Sequence, residues 1–406
     1  MMQGRARIMG AAVVALAVIL GLGILAGPAF VERELNVVAP HDPWFVSTDA
    51  AALHQQMLIA DLHADTFLWD RDPRQRGDRG HVDLVRLREG NVAVQVFAVV
   101  TKSPSGQNYD ANTAGSDNIT PLVMLQGWPV ATWDSLGERA LYQATRLREL
   151  ARSDPDLIRL LLTGPDVESL LGARARGSEI LGGLLALEGA HALDGDLGMI
   201  AVLREAGFRM MGLHHFFDNK LGGSLHGISG GGLSEFGREA VREMQRQGIL
   251  IDLAHSSEAV VREVLAMTTR PPVVSHTGVY SQCPTARNID DALLARIAVR
   301  GGLIGIGFWE GAVCDITPAG VARSIARAIE IVGEDHVALG SDWDGSTTVL
   351  FDASELSALT QALLDEGLSE VAIRKVMGEN LIGFLATHLP AGETKPPSSG
   401  ERSEPS

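Results

Sequence analysis

The segment Ile59-Ala60-Asp61-Leu62-His63-Ala64-Asp65-Thr66 joins a short apolar run to a His-x-Asp pair. The run from Met57 to Ala60 is typical of a buried strand, and side chains alternate between the two faces of a strand. His63 and Asp65 therefore point the same way if the strand continues. Together they would supply half of a site for a divalent transition metal, unless they are ordinary polar residues where the strand leaves the core.

Apolar runs of the same kind recur along the chain and alternate with segments of helical periodicity. Eight of them predict an α/β fold, a (β/α)8 TIM barrel, with one long insertion from Thr101 to Ser178 between strands two and three. A doubly wound open sheet is the competing architecture, but no glycine-rich nucleotide-binding motif follows strand one. The predicted strands are Met57–Asp61, Asn91–Phe97, Gly182–Leu187, Phe208–Leu213, Ile249–Leu253, Pro272–Ser275, Leu303–Phe308 and Val337–Gly340.

Side chains of the metal-ligand type stand at the ends of most of these strands. Active sites of such barrels lie at the carboxyl ends of the strands, so we expect these side chains to converge. Three histidines with two or three carboxylates suit one or two Zn²⁺-like ions, which carboxylates commonly bridge in hydrolases. The candidates are His63 and Asp65 (strand one), Glu188 (three), His215 (four), His255 (five), His276 (six) and Asp342 (eight). Solvent or capping roles are predicted for His41, His54, His81, His226, His336 and His388.

Composition excludes some classes of function. The formal net charge of −16 opposes a nucleic-acid partner, because phosphate binding needs a basic face. Two cysteines, Cys283 and Cys314, are too few for a disulfide scaffold or a cysteine-based zinc site. They would pair with each other only in an oxidising compartment.

The amino terminus predicts export. Arg5 and Arg7 precede an uncharged apolar run from Ile8 to Phe30, which is long enough to span a bilayer as a helix. We favour an uncleaved anchor with the body outside the cytoplasm, periplasmic or extracellular; cleavage to a secreted form is the alternative. The predicted order is an anchor over 1–31, a linker over 32–50, a barrel domain over 51–390 and a disordered tail over 391–406.

Short motifs over most of the chain resemble those of the membrane dipeptidase (renal dipeptidase) family, peptidase family M19, within the metal-dependent amidohydrolase barrels. They occur between Leu58 and Ala386 in the order that the family has. The matching segments are Asp61–Thr66, His81–Leu84, Leu187–Leu193, Asp252–His255, Ser275–Thr277, Arg287–Asp291, Gly340–Gly345 and Gly378–Asn380.

The resemblance implies two zinc ions per chain. His63 and Asp65 would bind one zinc, His255 and His276 would bind the second, and Glu188 would bridge the two. That family uses this glutamate where many related barrels use a carboxylated lysine.

The resemblance also implies roles toward the substrate. His215 corresponds to a histidine that contacts the scissile carbonyl, with His214 as the fallback because the family has Thr-His at this point. Arg287 corresponds to an arginine that receives the terminal carboxylate of the substrate through a planar two-donor fork. Asp342, with Asp344 as its fallback, corresponds to the acidic residue that transfers the proton.

The implied activity is that of a zinc-dependent dipeptidase, which hydrolyses the peptide bond of dipeptides through a metal-bridging hydroxide. The expected partners are small dipeptides, the membrane through the N-terminal helix, and a second copy of the chain in a homodimer. One alternative is a binuclear hydrolase of the same barrel class that acts on a β-lactam, a lactone or an N-acyl amino acid. Another is a non-catalytic exported metal-binding protein.

Overall fold

The computed structural model describes residues 27–392 and contains a closed barrel of eight parallel strands. Neighbouring strands pair in chain order, and the last strand pairs with the first. The barrel prediction is therefore confirmed, with the long insertion where it was expected. The strands are β1 Ile59–Ala64, β2 Val92–Val100, β3 Leu181–Glu188, β4 Phe208–Gly212, β5 Leu250–Asp252, β6 Val273–Thr277, β7 Leu303–Ile306 and β8 Val337–Leu339.

The strands are mostly apolar because both of their faces are covered. Every residue of β1, β2 and β3 is buried, as expected for parallel strands between an outer layer of helices and a filled interior. The prediction for strand one began at Met57, but this residue ends the helix Thr48–Gln56. β1 runs to Ala64 instead, so His63 lies within the strand and Asp65 directly follows it.

Helices cover the outside of the barrel between successive strands. Those outside the insertion are Thr48–Gln56, Leu84–Glu89, Gly198–Ala206, Glu235–Arg246, Glu258–Met267, Asp291–Val299, Glu310–Val313, Pro318–Val332, Leu356–Asp365, Glu370–Arg374 and Asn380–His388. The last of these was not predicted, and a π turn at Lys375–Glu379 precedes it. The insertion contributes Ile119–Leu125, Ala131–Asp134, Leu136–Ser153 and Gly164–Ala175, with a short strand Ile158–Leu160 that pairs in parallel with the first residues of β3.

The segment 32–50, predicted as a linker, packs on the barrel. Residues 27–35 are helical, and Glu32 is 1% exposed. Val37–Val38 then pairs in parallel with Thr348–Val349 after β8. Buried charge and strand pairing fix this segment, which composition alone did not indicate.

The predicted anchor and tail fall mainly on residues 1–26 and 393–406, outside the described residues. Within 27–392, no helix combines the length and the apolar character needed to cross a bilayer. Cys283 and Cys314 form a disulfide that joins the loops after β6 and β7. The sequence had left this pairing open.

His54 predicts a loss of stability at acidic pH. Burial lowers its pKa from 6.5 to about 4, although a hydrogen bond to the Gly90 carbonyl opposes this shift. Between these two values the unfolded chain takes up a proton that the folded chain does not, so the free energy of unfolding falls as the pH falls. The full effect is about 3 kcal/mol, of which about 2 kcal/mol is lost between pH 8 and pH 5.

We expect His54→Gln to flatten the pH dependence of urea unfolding over this range by about 2 kcal/mol relative to wild type. The matched control is Thr360→Val, which removes the partner 2.9 Å from Nδ1 but keeps the buried imidazole. It should lower stability at both pH values and retain the wild-type slope. Equal slopes in His54→Gln and wild type would contradict the prediction.

Candidate metal centre

The predicted ligands converge at the carboxyl ends of the strands. His63 and His276 lie within β1 and β6, Glu188 is the last residue of β3, and His255 follows β5. Their side chains are buried. Nitrogen and oxygen atoms suited to metal binding come within 4.8 Å of one another in three groups: His63, Glu188 and His276; Glu188, His215 and His255; and His63, Asp65 and Asp342.

Glu188 stands between these groups. Its Oε2 lies 3.6 Å from Nε2 of His63, whereas its Oε1 lies 3.0 Å and 3.4 Å from Nε2 of His255 and His276. The two oxygens of one carboxylate therefore face different histidines. This is the arrangement that a carboxylate needs to bridge two ions.

Unpaired buried atoms fit bound metal. Among the described residues, the two ring nitrogens of His63 and Oδ1 of Asp65 have no hydrogen-bond partner. The Nε2 atoms of His255 and His276 lie only 2.9 Å apart. Buried polar atoms normally have partners. Two imidazole nitrogens this close to each other, beside the unpaired ligand atoms of His63 and Asp65, therefore suit a bound cation.

Electrostatics in the cluster are dominated by burial and by mutual charge. Burial opposes a charged His63, but the carboxylates of Glu188 and Asp65 outweigh it and raise its pKa well above the usual range. Burial opposes a charged Glu188, but His215 and His63 outweigh it and hold its pKa well below the usual range. Burial and the neighbouring carboxylates of Asp65 and Glu188 raise the pKa of Asp342 well above its usual range, against the opposing charge of His63. Three carboxylates this close favour cations among them.

Hydrogen bonds behind the cluster orient His276. The hydroxyl of Ser275 donates to Oδ2 of Asp252 at 2.6 Å and lies 2.8 Å from Nδ1 of His276. Because the Ser275 proton goes to the carboxylate, Nδ1–H of His276 donates to the hydroxyl and Nε2 keeps its lone pair toward the cluster. No role was predicted for Asp252 from the sequence, although it opens the motif Asp252–His255 and lies three residues before a predicted ligand.

Asp61 supports the opposite side of the cluster. It accepts hydrogen bonds from Ser341 N at 2.8 Å and Gln95 Nε2 at 2.7 Å, and is fully buried. This carboxylate ties β1 to the residue before Asp342. Its position two residues before His63 on one strand face was the available signal.

Backbone strain occurs at two of the preferred candidates and at the fallback Asp344, which has φ 62°. His255 has φ 59° and Asp342 has φ 60°, in the left-handed region that residues other than glycine seldom adopt. Each lies three residues beyond the end of a strand, where the turn directs its side chain toward the barrel axis. Strain of this kind concentrates at functional sites.

The geometry distinguishes the two fallback residues from the preferred candidates. His215 lines the cavity above the cluster, with Nδ1 donating to the Lys102 carbonyl and Nε2 3.7 Å from Oε1 of Glu188. His214 is buried elsewhere and contacts Ser256. His215 is therefore the one of these two histidines that faces the cavity.

Asp342 is likewise favoured over Asp344. Oδ1 of Asp342 lies 3.8 Å from Nε2 of His63. Asp344 instead pairs with Arg71 and accepts from Thr66 Oγ1 at 3.0 Å, so its carboxylate is used in holding the loop.

Arg287 is buried in the wall of the same cavity. Its guanidinium lies 5.1 Å from the ring centre of Trp309, and Nη2 donates to the His276 carbonyl at 3.1 Å. Nη1 has no hydrogen-bond partner among the described residues. One donor arm of this buried cation is thus available to an anionic ligand.

Three histidines predicted to be solvent-exposed or capping are buried instead. His54, His81 and His226 are at most 1% exposed. His226 stacks on Phe216, with ring centres 4.8 Å apart, and so supports the cavity. Solvent exposure was the wrong prediction for these three, because histidines in loops and at helix ends were assumed to face solvent.

Comparison with known proteins finds relatives with similar sequences and similar folds. The model of the family described as membrane dipeptidase (peptidase family M19) matches residues 47–388. A protein named dipeptidase aclJ from Aspergillus oryzae (strain ATCC 42149 / RIB 40) is 34% identical over 317 residues, which cover 75% of this chain and 69% of that protein.

Two solved structures show the same architecture. One, described as the dipeptidase AC, a metallopeptidase of family M19, has a TM-score of 0.66 and 27% identity, covering 82% of this chain and 99% of that one. The other, a metallopeptidase from Rhodobacter sphaeroides liganded with a phosphinate mimic of the dipeptide L-Ala-D-Ala, has a TM-score of 0.65, 26% identity and the same coverage.

Proposed function

Because the chain belongs to the membrane dipeptidase family (peptidase family M19) and is a metal-dependent dipeptidase-like hydrolase, we propose that it hydrolyses free dipeptides with two zinc ions bound at the metal centre. The observation that carries this proposal is the position of Glu188 between two groups of histidines, in the same cavity as Arg287.

The donor set favours zinc. Imidazole nitrogens and carboxylate oxygens are its usual ligands in hydrolases. His63 and Asp65 would hold one ion, His255 and His276 the other, and Glu188 both. When bound, such a pair polarises an amide carbonyl and lowers the pKa of water to near neutrality.

Three side chains that line the cavity bind the substrate, stabilise the developing negative charge and transfer the proton. Arg287 binds the substrate carboxylate through Nη1 and so fixes the scissile bond. As an imidazolium, His215 donates from Nδ1 to the Lys102 carbonyl and from Nε2 to the substrate carbonyl oxygen as negative charge develops there. Asp342 accepts a proton at Oδ1 from the attacking water and gives it to the leaving amine.

We further propose that the barrel works outside the cytoplasm and is held there by the apolar N-terminal run. The disulfide between Cys283 and Cys314 supports an oxidising compartment, where such bonds persist. Membrane fractionation with protease accessibility from the outside tests this. The homodimer stays a prediction.

Metal analysis of the full-length chain, combined with hydrolysis of a panel of substrates, tests the activity. We expect two zinc ions per chain, cleavage of free dipeptides, loss of turnover on chelation and recovery with zinc. Zinc with hydrolysis only of lactones, β-lactams or N-acyl amino acids would favour the related hydrolase. A folded chain that binds no metal would overturn the proposal.

A further inference from the structure

The cavity above the metal centre has an apolar wall that none of the chemical steps uses. The cavity holds about 540 Å³, within the range of about 300–1,000 Å³ typical of sites for drug-sized ligands. The charged residues that line it, Asp65, Glu188, Arg287 and Asp342, all have roles already assigned. We define the apolar wall as the lining residues Val31, Leu35, Leu68, Ile119, Leu122 and Leu125.

Barrel topology places this wall opposite the carboxylate-binding arginine. Leu68, just after β1, packs in one cluster with Val100 at the end of β2 and with Ile119, Leu122 and Val31. The loop of Arg287 follows β6, which is four positions from β2 around the eight strands. A dipeptide held by its carboxylate, with its amide above the metal centre, therefore directs its amino-terminal residue toward the wall.

The N-terminal helix 27–35 is fixed as part of this wall. Glu32 is 1% exposed, and a buried carboxylate is costly unless it is paired. Its oxygens lie 2.6 Å from Nε of Arg71 and 2.7 Å from Nε of Arg79. Val31 and Leu35 are four residues apart and share a helix face, so this anchoring keeps both beside the cavity.

We propose that the apolar wall, with Val31 and Leu35 as its specificity-determining residues, selects dipeptides that have a bulky apolar amino-terminal side chain. This inference rests on the proposed dipeptidase function. A leucine or phenylalanine side chain at that position moves from water onto the apolar wall. A charged side chain there loses hydration, and the six described residues that form the wall offer it no opposite charge. We expect kcat/KM for Leu-Ala and Phe-Ala to exceed that for Gly-Ala and Lys-Ala by about 10- to 100-fold.

The test compares two substrate series on the full-length chain. One varies the amino-terminal residue (Gly-Ala, Leu-Ala, Phe-Ala, Lys-Ala), and the other varies the carboxyl-terminal residue (Ala-Gly, Ala-Leu, Ala-Phe). The double variant Val31→Ser/Leu35→Ser should lower the ratio of kcat/KM for Leu-Ala over Gly-Ala at least about five-fold, and leave the Ala-Leu over Ala-Gly ratio unchanged. Because each ratio is measured on one preparation, partial misfolding cancels.

The matched control is Phe30→Ser. Phe30 lies on the same helix, is 64% exposed and does not line the cavity, so both ratios should stay at wild-type values. A wild-type enzyme that cleaves dipeptides without amino-terminal preference would overturn the inference and leave the dipeptidase function standing. The inference would also be overturned if Val31→Ser/Leu35→Ser changed the Ala-Leu over Ala-Gly ratio instead of the Leu-Ala over Gly-Ala ratio. No cleavage of any dipeptide would overturn the proposed function itself.

Discussion

Glu188→Gln is expected to lower kcat/KM for every dipeptide that the enzyme cleaves by about 10³-fold or more, and to reduce bound metal below two ions per chain. Glutamine keeps the size of the side chain but removes the charge and one oxygen acceptor. The carboxylate oxygens face His63 on one side and His255 on the other, so the substitution weakens both halves of the centre. Loss of Lewis-acid activation costs several kcal/mol, and each 1.36 kcal/mol is a factor of ten in rate.

Metal analysis after dialysis and steady-state kinetics measure the two effects separately. The matched control is Glu205→Gln, at an exposed glutamate of the helix Gly198–Ala206, which should retain full metal content and activity. A Glu188→Gln enzyme with two bound ions but little activity would mean that Glu188 is needed for the reaction but not for metal binding. Two bound ions with near-normal activity would contradict the assignment of Glu188 altogether.

The barrel could be predicted because each of its strands can be recognised from a short stretch of sequence alone. Runs such as Val92–Val100 are apolar at nearly every position, since parallel strands between two covered faces need apolar residues on both. Polar residues at the ends of such runs, Glu188 and His276 among them, were then expected to lie together, because the carboxyl ends of all eight strands are at the same end of the barrel. Fold and candidate ligands thus followed from the same pattern.

The supporting residues could not be predicted in this way, because their surroundings come from distant parts of the chain. Asp61 is held by Gln95 on the next strand and by Ser341 after the last. His226 is buried because the aromatic ring of Phe216 covers it. Burial of a loop residue depends on the path of other loops, which sequence periodicity does not record.

The N-terminal segment illustrates the same limit. Glu32 is an ordinary charged residue in a mixed stretch until Arg71 and Arg79 approach it from the loop after β1. Local composition therefore predicted a linker, whereas long-range ion pairing makes the segment a wall of the cavity. The proposed specificity could not have been inferred without these contacts.

Arg287→Ala is expected to lower kcat/KM for free dipeptides by about 30-fold to 10³-fold, since removing one partner of a buried charge pair costs roughly 2–5 kcal/mol. Arg287 is 1% exposed and packs on Trp309, and within residues 27–392 its Nη1 has no hydrogen-bond partner. Arg287→Lys keeps the charge, but one ammonium does not replace both the Nη2 bond to the His276 carbonyl and the Nη1 arm toward the substrate, so we expect an intermediate loss. Both kcat and KM should change, because carboxylate binding also positions the amide.

A substrate without the carboxylate separates recognition from folding. Wild type should cleave a dipeptide amide, whose terminal carboxylate is replaced by a neutral carboxamide, about as poorly as Arg287→Ala cleaves the free dipeptide. Arg287→Ala should show little further loss on that amide, because the interaction is already absent. An equal loss on both substrates would mean that Arg287 acts by supporting Trp309 and the His276 carbonyl rather than by binding substrate. Only a coupling between the arginine and the carboxylate explains why this site would be restricted to short peptides with a free carboxyl end.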